Sequence, residues 1–127
     1  VKKIIFTDKA PAPIGPYNQA VLVNETTLYT SGQIALHPQT MELVLDDIET
    51  ETKQVMENMK AVLEAANMTF DNVVKTTIFI MDMNDFARIN TVYGSYFDEK
   101  TAPARETVQV ACLPKNVNVE ISMIAVK

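Results

Sequence analysis

Near its C-terminus the chain alternates strictly between apolar and polar positions. Val117, Val119, Ile121, Met123 and Ala125 form one set, and Asn118, Glu120 and Ser122 form the other. A period of two puts each set on its own face of a strand, so Val117 to Val126 is predicted as a strand with one buried side. Glu106 to Cys112 carries Val108, Val110 and Cys112 at the same spacing. Leu113-Pro114-Lys115-Asn116 between the two segments has turn chemistry, which predicts a hairpin. In that hairpin Gln109 would pair with Glu120, Arg105 would share the face of Glu120, and Cys112 would be a buried, inert thiol.

Over Ile48 to Ala66 the period becomes helical. Ile48, Val55, Met56, Met59, Val62, Leu63 and Ala66 fall at spacings of three and four, while Glu51, Lys53, Glu57, Lys60 and Glu64 are expected to turn outward. Asp46 is the expected N-cap, with Glu49 completing a capping box. Asn67 suits a left-handed C-terminal residue. A second helix is predicted over Asp85 to Phe97, striped by Phe86, Ile89, Tyr93, Tyr96 and Phe97 and capped by Asn84. Val73 to Met81 is rich in β-branched residues and reads as a strand. Lys3 to Thr7, Gln19 to Val23 and Thr27 to Gln33 read as three more, the last two joined by a tight turn at Asn24-Glu25-Thr26.

The element order is therefore βββαβαββ. It predicts an α+β architecture in which two helices cover one face of a mixed sheet. The other face would carry Glu120, Ser122, Arg105 and Gln109 among apolar residues. With no helix left to cover it, that face implies self-association. Residues 1–127 suit one domain.

Composition narrows the chemistry. Eleven basic against sixteen acidic residues give a net charge of -5, which disfavours a nucleic-acid-binding module. One His and one Cys exclude a structural zinc site built by this chain alone, and also a disulfide framework. No apolar run approaches the ~20 residues of a membrane span, and no targeting segment is visible, so a cytoplasmic location is expected. His37, before Pro38, reads as an exposed turn residue.

Two charged residues stand out. Arg105 opens a strand, and its guanidinium fork matches a carboxylate in two parallel hydrogen bonds; the structural alternative is an ion pair with Glu106. Glu120 is the lone charge in an apolar strand, surroundings that raise a carboxylate pKa toward the range useful for acid/base work; the structural alternative is a charge on a solvent-facing side of the strand. Tyr17 follows the rigid loop Ala10 to Pro16. Ser31-Gly32-Gln33 ends a strand where a glycine permits close approach.

Together these segments resemble the RidA/YjgF family of enamine/imine deaminases. The matching pieces are Ala12-Pro13-Ile14-Gly15-Pro16-Tyr17, Tyr29-Thr30-Ser31-Gly32-Gln33-Ile34, Val74-Lys75-Thr76-Thr77, Asp82-Met83-Asn84-Asp85-Phe86, Asn90 with Val92-Tyr93, Pro103-Ala104-Arg105, and Leu113-Pro114-Lys115 with Val119-Glu120-Ile121. The resemblance implies a chorismate-mutase-like fold, a homotrimeric barrel with sites between subunits, and cofactor-independent hydrolysis of 2-aminoacrylate and 2-imino acids to 2-keto acids and ammonia. It implies catalytic roles for Arg105, Glu120 and Tyr17, and substrate contacts from Ser31, Gly32, Asn90, Arg105 and Thr107. A non-enzymatic trimer that binds small carboxylates is the alternative reading. The chain departs from many relatives in having Glu106 after Pro-Ala-Arg, and in lacking the glycines frequent near Asn24, Met41 and Asn67.

Overall fold

The computed structural model describes residues 1–127. Its strands are β1 (Lys2–Ile5), β2 (Ala20–Val23), β3 (Thr27–Thr30), β4 (Val73–Ile80), β5 (Ala104–Gln109) and β6 (Val119–Val126). The helices are α1 (Ile48–Ala65) and α2 (Phe86–Gly94). The order βββαβαββ is as the periodicities predict. The strands form one sheet in the order β1-β2-β3-β6-β4-β5. All neighbours are antiparallel except β4 and β5, which run parallel.

The expected hairpin of the last two strands does not form. β5 pairs with β4, and β6 lies between β3 and β4. The α2 crossover is long enough to return β5 alongside β4, the usual route to a parallel pair. The division of places follows burial. Val119, Ile121, Met123 and Ala125 of β6 are at most 2% exposed, which suits a central strand, whereas five of the six β5 residues are exposed, as befits an edge. Because β5 ends at Gln109, Cys112 lies in an exposed loop rather than on a buried strand face.

The core lies between α1 and one face of the sheet. Val55, Met56, Met59, Val62 and Leu63 are fully buried against Ile78, Ile80, Val119, Ile121 and Met123. Glu51, expected to face solvent, is buried in this layer. It sits three residues after Ile48 and four before Val55, which is core spacing. Its carboxylate accepts hydrogen bonds from the Asn118 backbone N–H and Nδ2, both at 2.8 Å, and from the Val119 N–H at 3.2 Å. The final strand is thus anchored at its entry by a buried anion on α1.

The helix caps also differ from expectation. Asp47, not Asp46, caps α1, its Oδ1 accepting from the Thr50 N–H at 2.7 Å. Glu49 forms no capping box because it binds Arg88 at 2.9 and 2.7 Å. Asp82 caps a short 3₁₀ turn, Met83–Asp85, and α2 starts after it without a side-chain cap, so Asn84 is not the N-cap. His37 is half-buried rather than exposed; its Nδ1 accepts from the Gln39 and Thr40 N–H groups and holds the turn. Asn24, Met41 and Asn67 have φ values of 50°, 60° and 58°. These are the positions near which the chain lacks the glycines frequent in the family it resembles. Asn tolerates this conformation, while Met41 holds it at a cost of about 1 kcal/mol.

No helix is long and apolar enough to cross a membrane.

Candidate functional site: two cavities on opposite faces

A cavity of about 370 Å³ gathers four of the expected site residues, Tyr17, Ser31, Gly32 and Glu120. Its wall includes the Pro-rich loop. Prolines donate no backbone hydrogen bond, so this loop needs partners from elsewhere. Gln19 supplies them. Its Oε1 accepts from the Thr7 N–H at 2.8 Å, and its Nε2 donates to the Thr7 and Pro11 carbonyls, both at 2.9 Å. Tyr17 emerges from this loop half-exposed, its hydroxyl 3.4 Å from the Ile14 N–H. The Ser31 hydroxyl donates to the Asn18 carbonyl, tying the strand end to the loop.

Beyond β3 the chain makes one more bridge to β6. The Gln33 N–H donates to the Ile121 carbonyl at 2.8 Å, and the Ile121 N–H to the Gln33 carbonyl at 3.1 Å. Gly32 thereby lies against Glu120. A Cβ at residue 32 would fall 2.5 Å from Glu120 Oε2 and 2.9 Å from its Cγ, closer than atoms can approach. Gly32 is required there so that the carboxylate can lie along the backbone. Glu120 has no ion-pair or hydrogen-bond partner, and burial pushes its pKa up. Gly32→Ala should displace that carboxylate while the exposed backbone at residue 32 keeps its fold. A changed Glu120 rotamer with little change in melting temperature is expected, measured by crystallography of the variant and by calorimetry.

Arg105 and Asn90 line a second cavity, of about 590 Å³, with Tyr93, Gly94, Phe97, Glu99, Ala102 and Pro103. Arg105 Nη1 donates to Asn90 Oδ1 at 2.6 Å. Its guanidinium carbon lies 5.2 Å from the centre of the Tyr93 ring and 5.5 Å from that of Phe86. No carboxylate pairs with it. The expected alternative, a bond to Glu106, is not made: Glu106 binds Lys75 at 2.8 Å, and that contact lowers its pKa. The reason is alternation. Glu106 pairs in register with Thr77, and Arg105 with Thr76, so adjacent side chains point to opposite faces.

The same register corrects the expectation that Arg105 and Glu120 share a face. Thr76 turns toward α2, where its hydroxyl accepts from Tyr93 at 3.0 Å, and Arg105 follows it. Gln109, in register with Ile80, is on that side too, accepting from the Met83 N–H. Glu120 pairs with Phe79 on the open face. Within one chain the two residues are two strands across and three residues along, roughly 14 Å, with the sheet between them. Thr107 lines neither cavity, and its Oγ1 is buried without a partner.

Sequence reasoning took Phe86 and Tyr93 only as core stripe. Both touch Arg105. The signal was present, since residues 86, 90 and 93 fall on one face of α2 and Asn90 was already a candidate. No three His, Cys, Asp or Glu side chains converge as metal ligands would.

The protein is thus an α+β sheet with an unpaired arginine beside a cavity on one face and a half-buried carboxylate in a cavity on the other. The family model described as endoribonuclease L-PSP matches residues 7–127. A RutC family protein of Synechocystis is 58% identical over 98% of this chain and 95% of its own length. The mouse 2-iminobutanoate/2-iminopropanoate deaminase is 48% identical over 100% of this chain and 93% of its own. The structure of E. coli TdcF with bound serine superimposes with a TM-score of 0.92 at 47% identity, covering 98% of each chain. The chain belongs to the RidA/YjgF family.

Proposed function

We propose that this protein hydrolyses the C=N bond of short 2-imino acids, and of the enamines that tautomerise to them, giving 2-keto acids and ammonia. The observation that carries the reading is Arg105: a guanidinium facing a cavity, held by Asn90, with no carboxylate of its own chain within 4.0 Å to pair with it. An α-carboxylate is the ligand that its fork fits best. The name of the mouse relative supports the imine as substrate, and the serine bound by E. coli TdcF supports a small carboxylate ligand.

The two half-sites meet in a homotrimer, where the Arg105 cavity of one subunit faces the Glu120 cavity of the next. The uncovered sheet face supports such an assembly, with Tyr29 and Val108 each more than 40% exposed on a strand. Arg105 then holds the substrate carboxylate. Glu120 takes a proton from a water as its oxygen attacks the imine carbon, and Tyr17 hydrogen-bonds to that water. The carboxyl proton passes to the imine nitrogen, which gives a carbinolamine; Glu120 then takes the hydroxyl proton and returns it to the amino group as the C–N bond breaks, so ammonia leaves and the keto group forms. An imine is already electrophilic, so orientation and one acid/base suffice. Small-carboxylate binding without turnover is the competing reading.

The test is acceleration of 2-iminopropanoate hydrolysis, the imine being generated by an amino-acid oxidase. No acceleration over buffer sinks the enzyme reading. The pH profile adds a second check. Glu120 must be ionised to act as base, and burial raises its pKa. Activity should therefore fall on acidification through a midpoint above the ordinary carboxylate value, and Glu120→Gln should abolish that limb. Stability carries the opposite sign. A raised folded-state pKa means that the fold holds this proton more tightly than the unfolded chain does, so stability falls as pH rises through the folded pKa. Glu120→Gln should melt higher than wild type at neutral pH, and the difference should vanish in acid.

A further inference from the structure

Arg105 is exposed, and no anion of its own chain restrains it. A long, free arginine would ordinarily sample many rotamers, and ordering it on ligand binding would weaken affinity. Here three α2 side chains at i, i+4 and i+7 meet it. Asn90 takes one N–H, while Phe86 and Tyr93 present ring faces 5.5 and 5.2 Å from the guanidinium carbon. One of the five guanidinium N–H groups is used by Asn90, and the others remain for an anion.

The rings are themselves fixed. Tyr93 is 4% exposed, its hydroxyl donates to Thr76 on the strand that carries Arg105's register partner, and its ring packs 4.9 Å from that of Phe97. Phe86 is half-buried and packs against the main core. The rigid core thus extends to the guanidinium through two aromatic faces, which attract a cation without consuming any of its hydrogen-bond donors. An acidic partner would also have held Arg105 still, but it would have occupied the donors a substrate needs and cancelled the charge.

We infer that Phe86 and Tyr93 are positioning residues for carboxylate recognition, acting through Arg105 by preorganising its guanidinium. The inference rests on the reading of Arg105 as the substrate clamp. A preorganised clamp holds substrate and transition state alike, so its loss should appear in KM rather than kcat.

The test compares Phe86→Leu, which keeps apolar bulk but removes the ring, with Phe86→Tyr, which keeps the ring. Tyr93→Leu and Tyr93→Phe form a parallel pair. Full-length proteins are titrated with 2-ketobutyrate by calorimetry and assayed with 2-iminopropanoate, and urea midpoints record any loss of fold. Each Leu variant should bind the keto acid about threefold to fivefold more weakly and show a matching rise in KM, with kcat within about twofold of wild type. The aromatic variants should retain most of the affinity. Leu variants with wild-type affinity and KM would overturn the inference, as would aromatic variants as weak as the Leu ones. In either case the clamp reading itself survives, provided wild type binds the keto acid and Arg105→Ala does not. If wild type binds no keto acid, the clamp reading fails and takes this inference with it.

Discussion

Arg105→Ala should lower kcat/KM for 2-iminopropanoate by about 10²-fold or more, the loss of a charge-assisted, two-pronged contact worth about 3 kcal/mol. The fold should survive, since Arg105 is exposed on an edge strand and pairs with no carboxylate. Arg105→Lys should recover only part of the loss, because an ammonium is a point charge without the fork. The same variant tests how the site is built. Arg105→Ala and Glu120→Ala are each expected to be inactive alone. If every site takes Arg105 from one subunit and Glu120 from its neighbour, unfolding and refolding the two together at equal ratio should restore about a quarter of the wild-type sites. A mixture that remains inactive would contradict a shared site. Within one chain the sheet separates the two residues, so no rotamer change brings them together.

The largest effect on stability is expected at Glu51. Its carboxylate is fully buried and accepts three hydrogen bonds at the start of β6. Glu51→Leu would leave the Asn118 and Val119 N–H groups without acceptors in a water-poor environment. A loss of about 3 kcal/mol follows from the desolvation penalty of unpaired buried groups. For a chain of this length that corresponds to roughly 10 °C in melting temperature. Glu51→Gln keeps one acceptor oxygen and should fall between. Differential scanning calorimetry at matched protein concentration measures both, and a Leu variant as stable as wild type would refute the anchoring role. Because Val119 and Glu120 follow directly, loosening this anchor should also reduce activity before it unfolds the protein.

Much of the fold could be read directly from spacing. The helical stripe from Ile48 and the alternation from Val117 each depend on local geometry, and both elements lie where those periods place them. Asn67 takes the left-handed conformation expected of it. Of the candidate site residues, Arg105, Asn90, Tyr17, Ser31, Gly32 and Glu120 each line one of the two cavities, and Thr107 lines neither. Glu51 was misplaced because a charged residue is usually solvated, and only the unpaired N–H groups of a strand distant in sequence explain its burial. Asp47 rather than Asp46 caps α1 because adjacent residues offer the same chemistry, and backbone geometry chooses between them.

Strand partners were beyond such reading. Side-chain alternation states which face a residue occupies on its own strand, but hydrogen-bond pairing is made between backbones that are alike at every position. The choice between a β5–β6 hairpin and an inserted β6 therefore rested on global packing, on which strand could bury the most apolar surface at the centre of the sheet. That choice set the geometry of the site. By itself the sequence determined the elements, the core stripes and the chemically capable residues, since these follow from local period and residue type. Only the tertiary structure decided that Arg105 and Glu120 face opposite ways, that Glu106 is drawn off to Lys75, and that two aromatic rings lie beneath the guanidinium. Those relations depend on the register of β4 against its two neighbours, and register is a property of the assembled sheet.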